Sequence, residues 1–321
     1  MTVSSIKTGY DGISLLVGNA AYQPLGSRAV FAGGAFGYSV NVMDYVDIAT
    51  TGNATDFGDL LVNTETNAGA SSSVRGLSAG GESSAPRNNK IDYFTIATTG
   101  NSLNFGDLVA GAFWLAGTSN ETRALLGGGT ESSGTVSDRM TYVTIATTGN
   151  ATDFGNLITS NSYTRAMGSA SSSTRALFAG GASASAPNQA DIEYYTIATT
   201  GTSTTFGDLT LARAFMSGGA SSGIRALFAG GINSSNAVVN VIDYITIAST
   251  GNATDFGDLS YSAQSATTST YTRAVHARTS GNNNTIDYTT IATTGNASDF
   301  GDLTVNRSNG MAAVSNGHGG L

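Results

Sequence analysis

The stretch GNATDFGDL occurs twice without a change, at residues 52–60 and again at residues 251–259. Its second half, Phe-Gly-Asp-Leu or a close variant, stands at six places along the 321-residue chain. The phenylalanines that mark these places are Phe57, Phe105, Phe154, Phe206, Phe256 and Phe300, at intervals of 48, 49, 52, 50 and 44 residues. A repeat of about fifty residues therefore organises the chain.

Each copy is predicted to form four short strands. In one copy the runs 212–216, 224–229, 241–248 and 255–259 have strand character and are separated by Gly, Asn and Ser. Residues 217–223, which are rich in Gly and Ser, are interpreted as a turn. No segment has the 3.6-residue period of a helix over a useful length. Four strands in about fifty residues fit a propeller blade better than a solenoid coil.

Glycine pairs and tyrosines recur at fixed places in the copies. The pairs are Gly33-Gly34, Gly80-Gly81, Gly128-Gly129, Gly180-Gly181 and Gly230-Gly231, and the tyrosines are Tyr45, Tyr93, Tyr142, Tyr194, Tyr244 and Tyr288. This pattern resembles the kelch repeat, with the kelch tryptophan replaced by the Phe of Phe-Gly-Asp. The resemblance implies an all-β fold, a six-bladed kelch-like β-propeller with four short antiparallel strands per blade. The last copy lacks the glycine pair and is interpreted as a worn blade.

Both ends of the chain are expected to contribute to one blade, because a ring has to hide its unpaired strand edges. Residues 311–314 match a first strand and residues 27–34 match a second one. Pairing of these N- and C-terminal segments is therefore predicted to close the ring. Residues 1–24 then form an N-terminal arm, a candidate docking segment, and the propeller takes residues 25–321. The alternative is that residues 13–17 supply the inner strand of that blade.

Composition restricts the classes of function. The net charge of −8 argues against a nucleic-acid partner, and the apolar runs are too short for membrane insertion. Cysteine is absent, so a disulfide framework and a thiolate metal site are excluded. Only His276 and His318 are available as imidazole bases, and neither has an obvious partner for nucleophilic catalysis. We therefore expect a protein that is not an enzyme and that uses no cofactor and no metal.

Charged residues repeat with the copies. An arginine begins each second strand, at Arg28, Arg75, Arg123, Arg175, Arg225 and Arg273. An acidic residue follows Phe-Gly at Asp59, Asp107, Asp208, Asp258 and Asp302, with Asn156 in the remaining copy. A second acidic series precedes the tyrosine, at Asp44, Asp92, Glu193, Asp243 and Asp287. Either these charges surround a channel that holds an anion or a glycan, or each arginine pairs with a carboxylate between strands or blades. The second interpretation is favoured, because a feature present in every blade is more often architecture than a site.

Residues that break the repeat are the candidates for specific binding. They are Phe113 and Trp114, the latter being the only tryptophan, and Arg87 and Lys90 in the loop 82–90. We predict these four as partner-binding residues. For Trp114, packing at a blade interface is favoured over stacking on a sugar.

The longer phrase IATTGNATDFGDL, at residues 48–60, resembles repeats in structural proteins of marine bacteriophages, including cyanophages. This resemblance implies a virion protein that is made in the host cytoplasm and has other capsid or tail proteins as partners. The favoured role is decoration of the capsid or tail, with docking through the N-terminal arm. One alternative is a host-recognition module of a tail fibre that binds a surface glycan. A second alternative is a cytoplasmic kelch-like interaction adaptor.

Overall fold

A computed structural model describes residues 26–83, 87–158, 165–183, 188–281 and 283–321. These residues form strands, turns and loops, and no helix occurs among them. The strands build six four-stranded antiparallel sheets, arranged as the blades of a six-bladed β-propeller. The all-β, six-bladed fold expected from the repeat is confirmed. The predicted arm, residues 1–24, lies outside the described residues.

The blades are numbered in chain order, and their strands run from the inner one, beside the central channel, to the outer one. Blade 1 consists of Ala312–Ser315, Arg28–Ala32, Val40–Asp47 and Thr55–Thr64, and blade 2 of Ala68–Ser71, Arg75–Ala79, Lys90–Thr95 and Leu103–Asp107. Blade 3 consists of Ala116–Ser119, Arg123–Gly127, Arg139–Thr144 and Thr152–Asn156, and blade 4 of Gly168–Ser171, Arg175–Ala179, Asp191–Thr196 and Thr204–Asp208. Blade 5 consists of Ala220–Ser221, Arg225–Ala229, Val241–Thr246 and Thr254–Asp258, and blade 6 of Ser265–Ser269, Arg273–Arg278, Asn283–Thr290 and Ser298–Arg307.

Three short strand pairs complete the sheet structure. Ala112–Phe113 pairs with Thr130–Glu131, and Arg213–Ala214 pairs with Ile232–Asn233. Ser217–Gly218 runs parallel to the inner strand of blade 6. The copy with the worn sequence is a full blade, and its outer strand, Ser298–Arg307, is one of the two longest in the described chain.

Closure of the ring uses both ends of the chain. Ala312–Ser315 pairs antiparallel with Arg28–Ala32, with Ala32 opposite Ala312 and Ala29 opposite Ser315. The predicted closure by pairing of N- and C-terminal segments is confirmed. The alternative strand, residues 13–17, lies outside the described residues, and the inner position of blade 1 is taken by Ala312–Ser315.

The inner strand of blade 5 differs from the sequence-based expectation. It was predicted at residues 212–216, but it lies at Ala220–Ser221, within the segment interpreted as a turn. The reason is the narrow space around the axis, where the inner strands read AGAS, AGTS and GSAS in neighbouring blades. A side chain added at Gly219 would lie 2.8 Å from the carbonyl oxygen of Ser169 in blade 4. Small residues therefore mark the inner strands of this protein.

Apolar side chains fill the six spaces between neighbouring blades. The cluster between blades 2 and 3, for example, combines Leu77, Ile91 and Phe105 with Leu126 and Val143. The marker phenylalanine of every copy is buried in one of these clusters. Burying one such side chain contributes about 1.5–3 kcal/mol, so the repeated apolar positions stabilise each interface.

The repeated motifs also join neighbouring blades through their main chains. The Gly100 amide donates to the Phe57 carbonyl over 2.7 Å, and the Ser102 amide donates to the Asp59 carbonyl over 2.8 Å. In return the Asp59 amide donates to Asn101 Oδ1 over 3.1 Å. A hydrogen bond from a glycine amide to the marker phenylalanine carbonyl is present at all six joints between neighbouring blades. At the joint between blades 6 and 1 it connects Gly52 and Phe300. At the same joint Asn53 Oδ1 accepts from the Asp302 amide over 3.1 Å.

Glycine is required at the second position of Phe-Gly because the next blade lies against it. A Cβ atom on Gly106 would lie 2.3 Å from the carbonyl oxygen of Gly149, whereas a Cβ atom on Gly149 would have no atom within 4 Å. The two glycines face each other across one joint, yet only one of them is sterically required.

We expect the substitution Gly106→Ala to lower the free energy of unfolding by about 1–3 kcal/mol, because the added methyl group forces the joint between blades 2 and 3 apart. The matched substitution Gly149→Ala is expected to change it by less than about 0.5 kcal/mol. Urea denaturation followed by circular dichroism measures both values. Equal losses in the two variants would contradict this account of the joint.

Candidate functional site

The repeated arginines are structural, but their partners differ from those expected. Each one extends to the next blade and donates to main-chain carbonyls at the end of its third strand. Arg28, for example, donates to Ile96 at 3.2 Å and to Ala97 at 2.9 Å. The same contact to an isoleucine carbonyl is made by Arg75, Arg123, Arg175, Arg225 and Arg273. Among the described residues none of the six forms a salt bridge, so the expected arginine–carboxylate pairs are wrong.

An aromatic stack replaces the expected carboxylate. The guanidinium group of each repeated arginine lies 4.2–4.7 Å from the ring centroid of the tyrosine in its own blade. That tyrosine meets the marker phenylalanine edge to face, with centroids 5.9–6.1 Å apart. Cation–π contact stabilises a half-buried guanidinium without a counter-ion. The three repeated side chains therefore form one structural unit per blade.

The second acidic series caps the connections between blades. Asp92 accepts from the Leu61 amide and the Ser102 hydroxyl, both at 3.0 Å. Glu193 and Asp287 hold the amides of Ile158 and Ser260 in the same way. Burial raises the pKa of Asp92, Glu193 and Asp287 above the ordinary values of these carboxyl groups. In blades 1 and 5 the acidic residue accepts from the amides of Thr304 and Thr210 in the same way and also meets a fully buried arginine at 2.7 Å, as Asp44–Arg307 and Asp243–Arg213.

The central channel is lined by small side chains and not by the repeated charges. Its walls are mainly Gly, Ala, Ser and Thr residues at the inner strands, with Val314 and His318 as the larger lining residues. A serine ends every inner strand, and its hydroxyl donates to the carbonyl of the serine in the preceding blade over 2.5–3.0 Å. The members of this serine ring are Ser71, Ser119, Ser171, Ser221, Ser269 and Ser315. The alternative interpretation, a ring of charges around the channel, is wrong.

The serine-ring end of the channel is covered by residues 316–321, and we call this side the tail face. His318 Nε2 lies 3.1 Å from the Ser71 carbonyl in blade 2, and the Gly319 amide donates to the Ser221 carbonyl in blade 5 over 2.9 Å. Blades 2 and 5 are opposite each other in a six-membered ring, so this segment crosses the axis. Burial lowers the pKa of His318 to about 4, although its contact with Ser71 opposes that shift.

The other end of the channel, which we call the mouth, has a different construction. One residue of blades 1 to 5, placed just before the inner strand, adopts a left-handed conformation with φ between 52° and 63°. These residues are Asn309, Thr66, Trp114, Ala166 and Phe215. Hydrogen bonds link their main chains. The amides of Trp114, Ala166 and Phe215 each donate to the carbonyl of the left-handed residue in the preceding blade. In blade 6 Gln264 lines the corresponding part of the mouth.

Aromatic and cationic side chains gather at the mouth. The half-buried Trp114 ring meets Phe215 of blade 5 edge to face with centroids 5.1 Å apart, and it packs against Phe113 at 4.8 Å. The guanidinium groups of Arg165 and Arg87 lie 4.7 Å and 4.5 Å from the ring centroids of Trp114 and Phe113, respectively. We call these five residues the mouth cluster.

The structure brings together three of the four predicted partner-binding residues. Arg87, Phe113 and Trp114 belong to the mouth cluster, with Phe113 itself buried. Lys90 does not, because it forms a surface ion pair with Asp107 at 2.7 Å. Phe215 and Arg165 were missed, because alignment of the copies on the inner strands places Met216, and not Phe215, at the position of Trp114.

Three buried polar atoms without a hydrogen-bond partner among the described residues lie near the mouth. Asn67 Oδ1 belongs to a buried residue that lines the mouth. Arg165 Nε stands over Trp114, and burial lowers the pKa of that guanidinium. The third atom is Thr279 Oγ1, and the main-chain amide of Thr279 donates to the Gln264 carbonyl. Such atoms are costly to bury unless water or a ligand binds them.

The six copies diverge mainly on the side of the mouth. The segments between second and third strands differ in length and sequence, and their described residues are 33–39, 80–83, 87–89, 128–138, 180–183, 188–190, 230–240 and 279–281. Loops between third and fourth strands, on the tail face, are nearly identical to IATTGNA at residues 48–54. The loops of the six copies are therefore uniform on the tail face and varied on the side of the mouth.

No family model matches the sequence, and a search of curated proteins found no match either. Among the described residues no helix has the length and apolar character needed to cross a membrane. Within the same ranges no group of three or more His, Cys, Asp or Glu side chains is placed to hold a metal ion.

His276 is a core residue at a position that phenylalanine occupies in blades 1, 4 and 5. Its Nδ1 and Nε2 atoms each lie 3.1 Å from a threonine hydroxyl, of Thr267 and Thr289 respectively. Burial lowers its pKa to about 3. The unfolded chain therefore binds a proton between pH 6.5 and about 3 that the folded chain does not bind, so its contribution to stability declines as the pH falls through this range.

The triple substitution His276→Phe, Thr267→Ala and Thr289→Val copies the set Phe31, Ala313 and Val46 of blade 1. Between pH 7.5 and 4.5 we expect the native protein to lose about 2–3 kcal/mol more unfolding free energy than this variant. Urea denaturation at the two pH values measures the difference, and the carboxyl groups and His318 cancel in the comparison. Parallel losses would show that His276 titrates normally.

Proposed function

We propose that this protein is a non-catalytic structural protein of a phage virion, attached to the capsid or tail by its tail face. The virion assignment rests on the resemblance of the IATTGNATDFGDL repeats to phage structural proteins. The choice of the attachment face rests on the contrast between the two sides of the ring. The tail face has uniform loops and a covered channel, whereas the mouth side has varied loops and aromatic residues.

The tail face is also the side on which the candidate docking arm joins the ring. The Gly26 amide donates to the Asn316 carbonyl over 3.1 Å, beside the segment that crosses the channel. Exposed apolar side chains on this face, Val74 and Ile224, stand in the loops between first and second strands. Attachment through this side leaves the mouth directed away from the particle.

Both histidines support a non-catalytic role. His276 is enclosed between two threonine hydroxyls, and His318 is engaged with the Ser71 carbonyl and the Gly320 amide. Neither imidazole is placed to activate a serine hydroxyl, since a general base has to hydrogen-bond its nucleophile and remain accessible to substrate.

The host-recognition alternative is favoured by the mouth cluster. Half-buried aromatic rings beside unpartnered polar atoms are typical of sites that bind small polar ligands. This role is compatible with attachment through the opposite face, because one protein then links a particle to a host surface.

We expect deletion of residues 1–24 to remove the protein from purified phage particles, as measured by immunogold electron microscopy with an antibody against this chain. Label on the head or tail trunk of wild-type particles supports decoration. Label confined to fibre tips supports host recognition, and absence of label from wild-type particles favours the kelch-like adaptor. A truncated protein that still labels particles would exclude the arm as the docking segment.

Two point variants test the orientation of the ring. Ile224 on the tail face and Tyr38 on the mouth side are both 71% exposed. We expect Ile224→Ser to reduce the label per particle and Tyr38→Ser to leave it unchanged, because only the former lies on the attachment face. The reverse result would place the mouth side against the virion.

A further inference from the structure

We infer that the mouth binds the terminal sugar of a glycan and that this sugar carries a carboxylate group. The inference concerns the mouth cluster alone and is tested on the isolated protein. It therefore stands or fails independently of how the protein attaches to a particle.

The first argument is the conformational cost of the mouth. A left-handed conformation costs a non-glycine residue about 1 kcal/mol or more, and glycine adopts it freely. The same chain places glycine at positive φ in its double-glycine turns, for example Gly80 and Gly81. At the mouth it uses Thr66, Trp114, Ala166, Phe215 and Asn309 instead. Side chains retained at strained positions indicate a function for them.

The second argument is the chemistry of those side chains. Trp114 and Phe215 are half-buried rings, and their exposed parts, beside the Arg165 guanidinium, form the aromatic surface of the mouth. Asn67 lines the mouth, and its Oδ1 atom lacks a partner and is able to accept a hydrogen bond from a sugar hydroxyl. This combination of aromatic surface and an unpartnered acceptor matches a polyhydroxylated ligand better than an apolar peptide.

The third argument is charge. Arg165 lies over Trp114 and Arg87 lies over Phe113, and among the described residues neither arginine has a carboxylate partner. Among the described residues the Arg165 guanidinium donates to Thr130 Oγ1 at 3.3 Å, and its Nε has no acceptor there. A planar guanidinium group pairs with a carboxylate through two parallel hydrogen bonds, which assigns an acidic sugar to this site.

The fourth argument is the shape of the channel. Behind the mouth the inner strands are packed closely, since a Cβ atom on Gly218 would lie 2.7 Å from the Thr267 carbonyl oxygen. The far end is crossed by residues 316–321. A polysaccharide cannot thread through such a channel. Only the end of a glycan chain is able to enter the mouth, so the site recognises a terminal residue.

The test uses isothermal titration calorimetry on the full chain with oligosaccharides that end in glucuronic acid, and with matched oligosaccharides that end in glucose. We expect the acidic ligands to bind at least about tenfold more tightly. The variant Arg165→Gln is expected to lose this preference and to retain the weaker binding of the neutral ligand. Trp114→Ala is expected to lose both.

Tyr38→Ser is the control, because Tyr38 is exposed on the same side of the ring outside the mouth cluster. Its affinities should equal those of the native protein, and thermal unfolding confirms that every variant is folded. Equal binding of acidic and neutral ligands by the native protein would overturn the inference. So would the absence of binding to either ligand, an unchanged preference in Arg165→Gln, or stronger binding of oligosaccharides that present the acid only inside the chain.

Discussion

The contact between one inner strand and the next is the constraint on which the rest of the ring depends. Each serine hydroxyl donates to the serine carbonyl of the preceding blade, and six such bonds return to their starting point. A closed circle requires every blade to advance by the same angle, because an error in one joint has to be absorbed by the other five. The near identity of the copies follows from this requirement. Motifs that build the joint recur, while positions outside it differ.

The same constraint explains the chemistry of the joints. Repeated arginines were expected to pair with carboxylates, but they donate to main-chain carbonyls and stack on tyrosines. Carbonyl acceptors are part of the backbone of the neighbouring blade, so they hold the angle between blades more directly than a flexible side chain does. They also need no second charge to be desolvated, which a half-buried ion pair requires. A protein with only 11% charged residues is able to satisfy its joints in this way.

Much of the fold could be predicted because the repeat displays it six times. The spacing of Phe57 and its equivalents gives the number of blades, and the strand-like segments at both ends of the chain predict closure. The inner strand of blade 5 was misplaced because Gly-Gly-Ala-Ser is typical of a turn, and only the crowding at the axis makes it a strand. The mouth was recognised in part. Trp114 is recognisable as the single tryptophan. Phe215 and Arg165 contact it only in the folded ring, because they belong to parts of the chain that are far apart in sequence.

The mouth is the place where such a ring is able to acquire specificity without losing closure. Blades 1 to 5 each contribute one left-handed residue at the same height, and the chain needs only the main-chain hydrogen bonds of these residues. Their side chains are therefore free to change, and they do, from alanine to tryptophan. Blade 6 lacks this residue, which leaves a gap beside Gln264 and makes the opening asymmetric. An asymmetric opening with one cationic and aromatic side is able to orient a ligand, whereas a six-fold symmetric opening offers six equivalent poses. The missing left-handed residue of blade 6, which is separate from its missing glycine pair, is thus the feature that permits a single bound orientation.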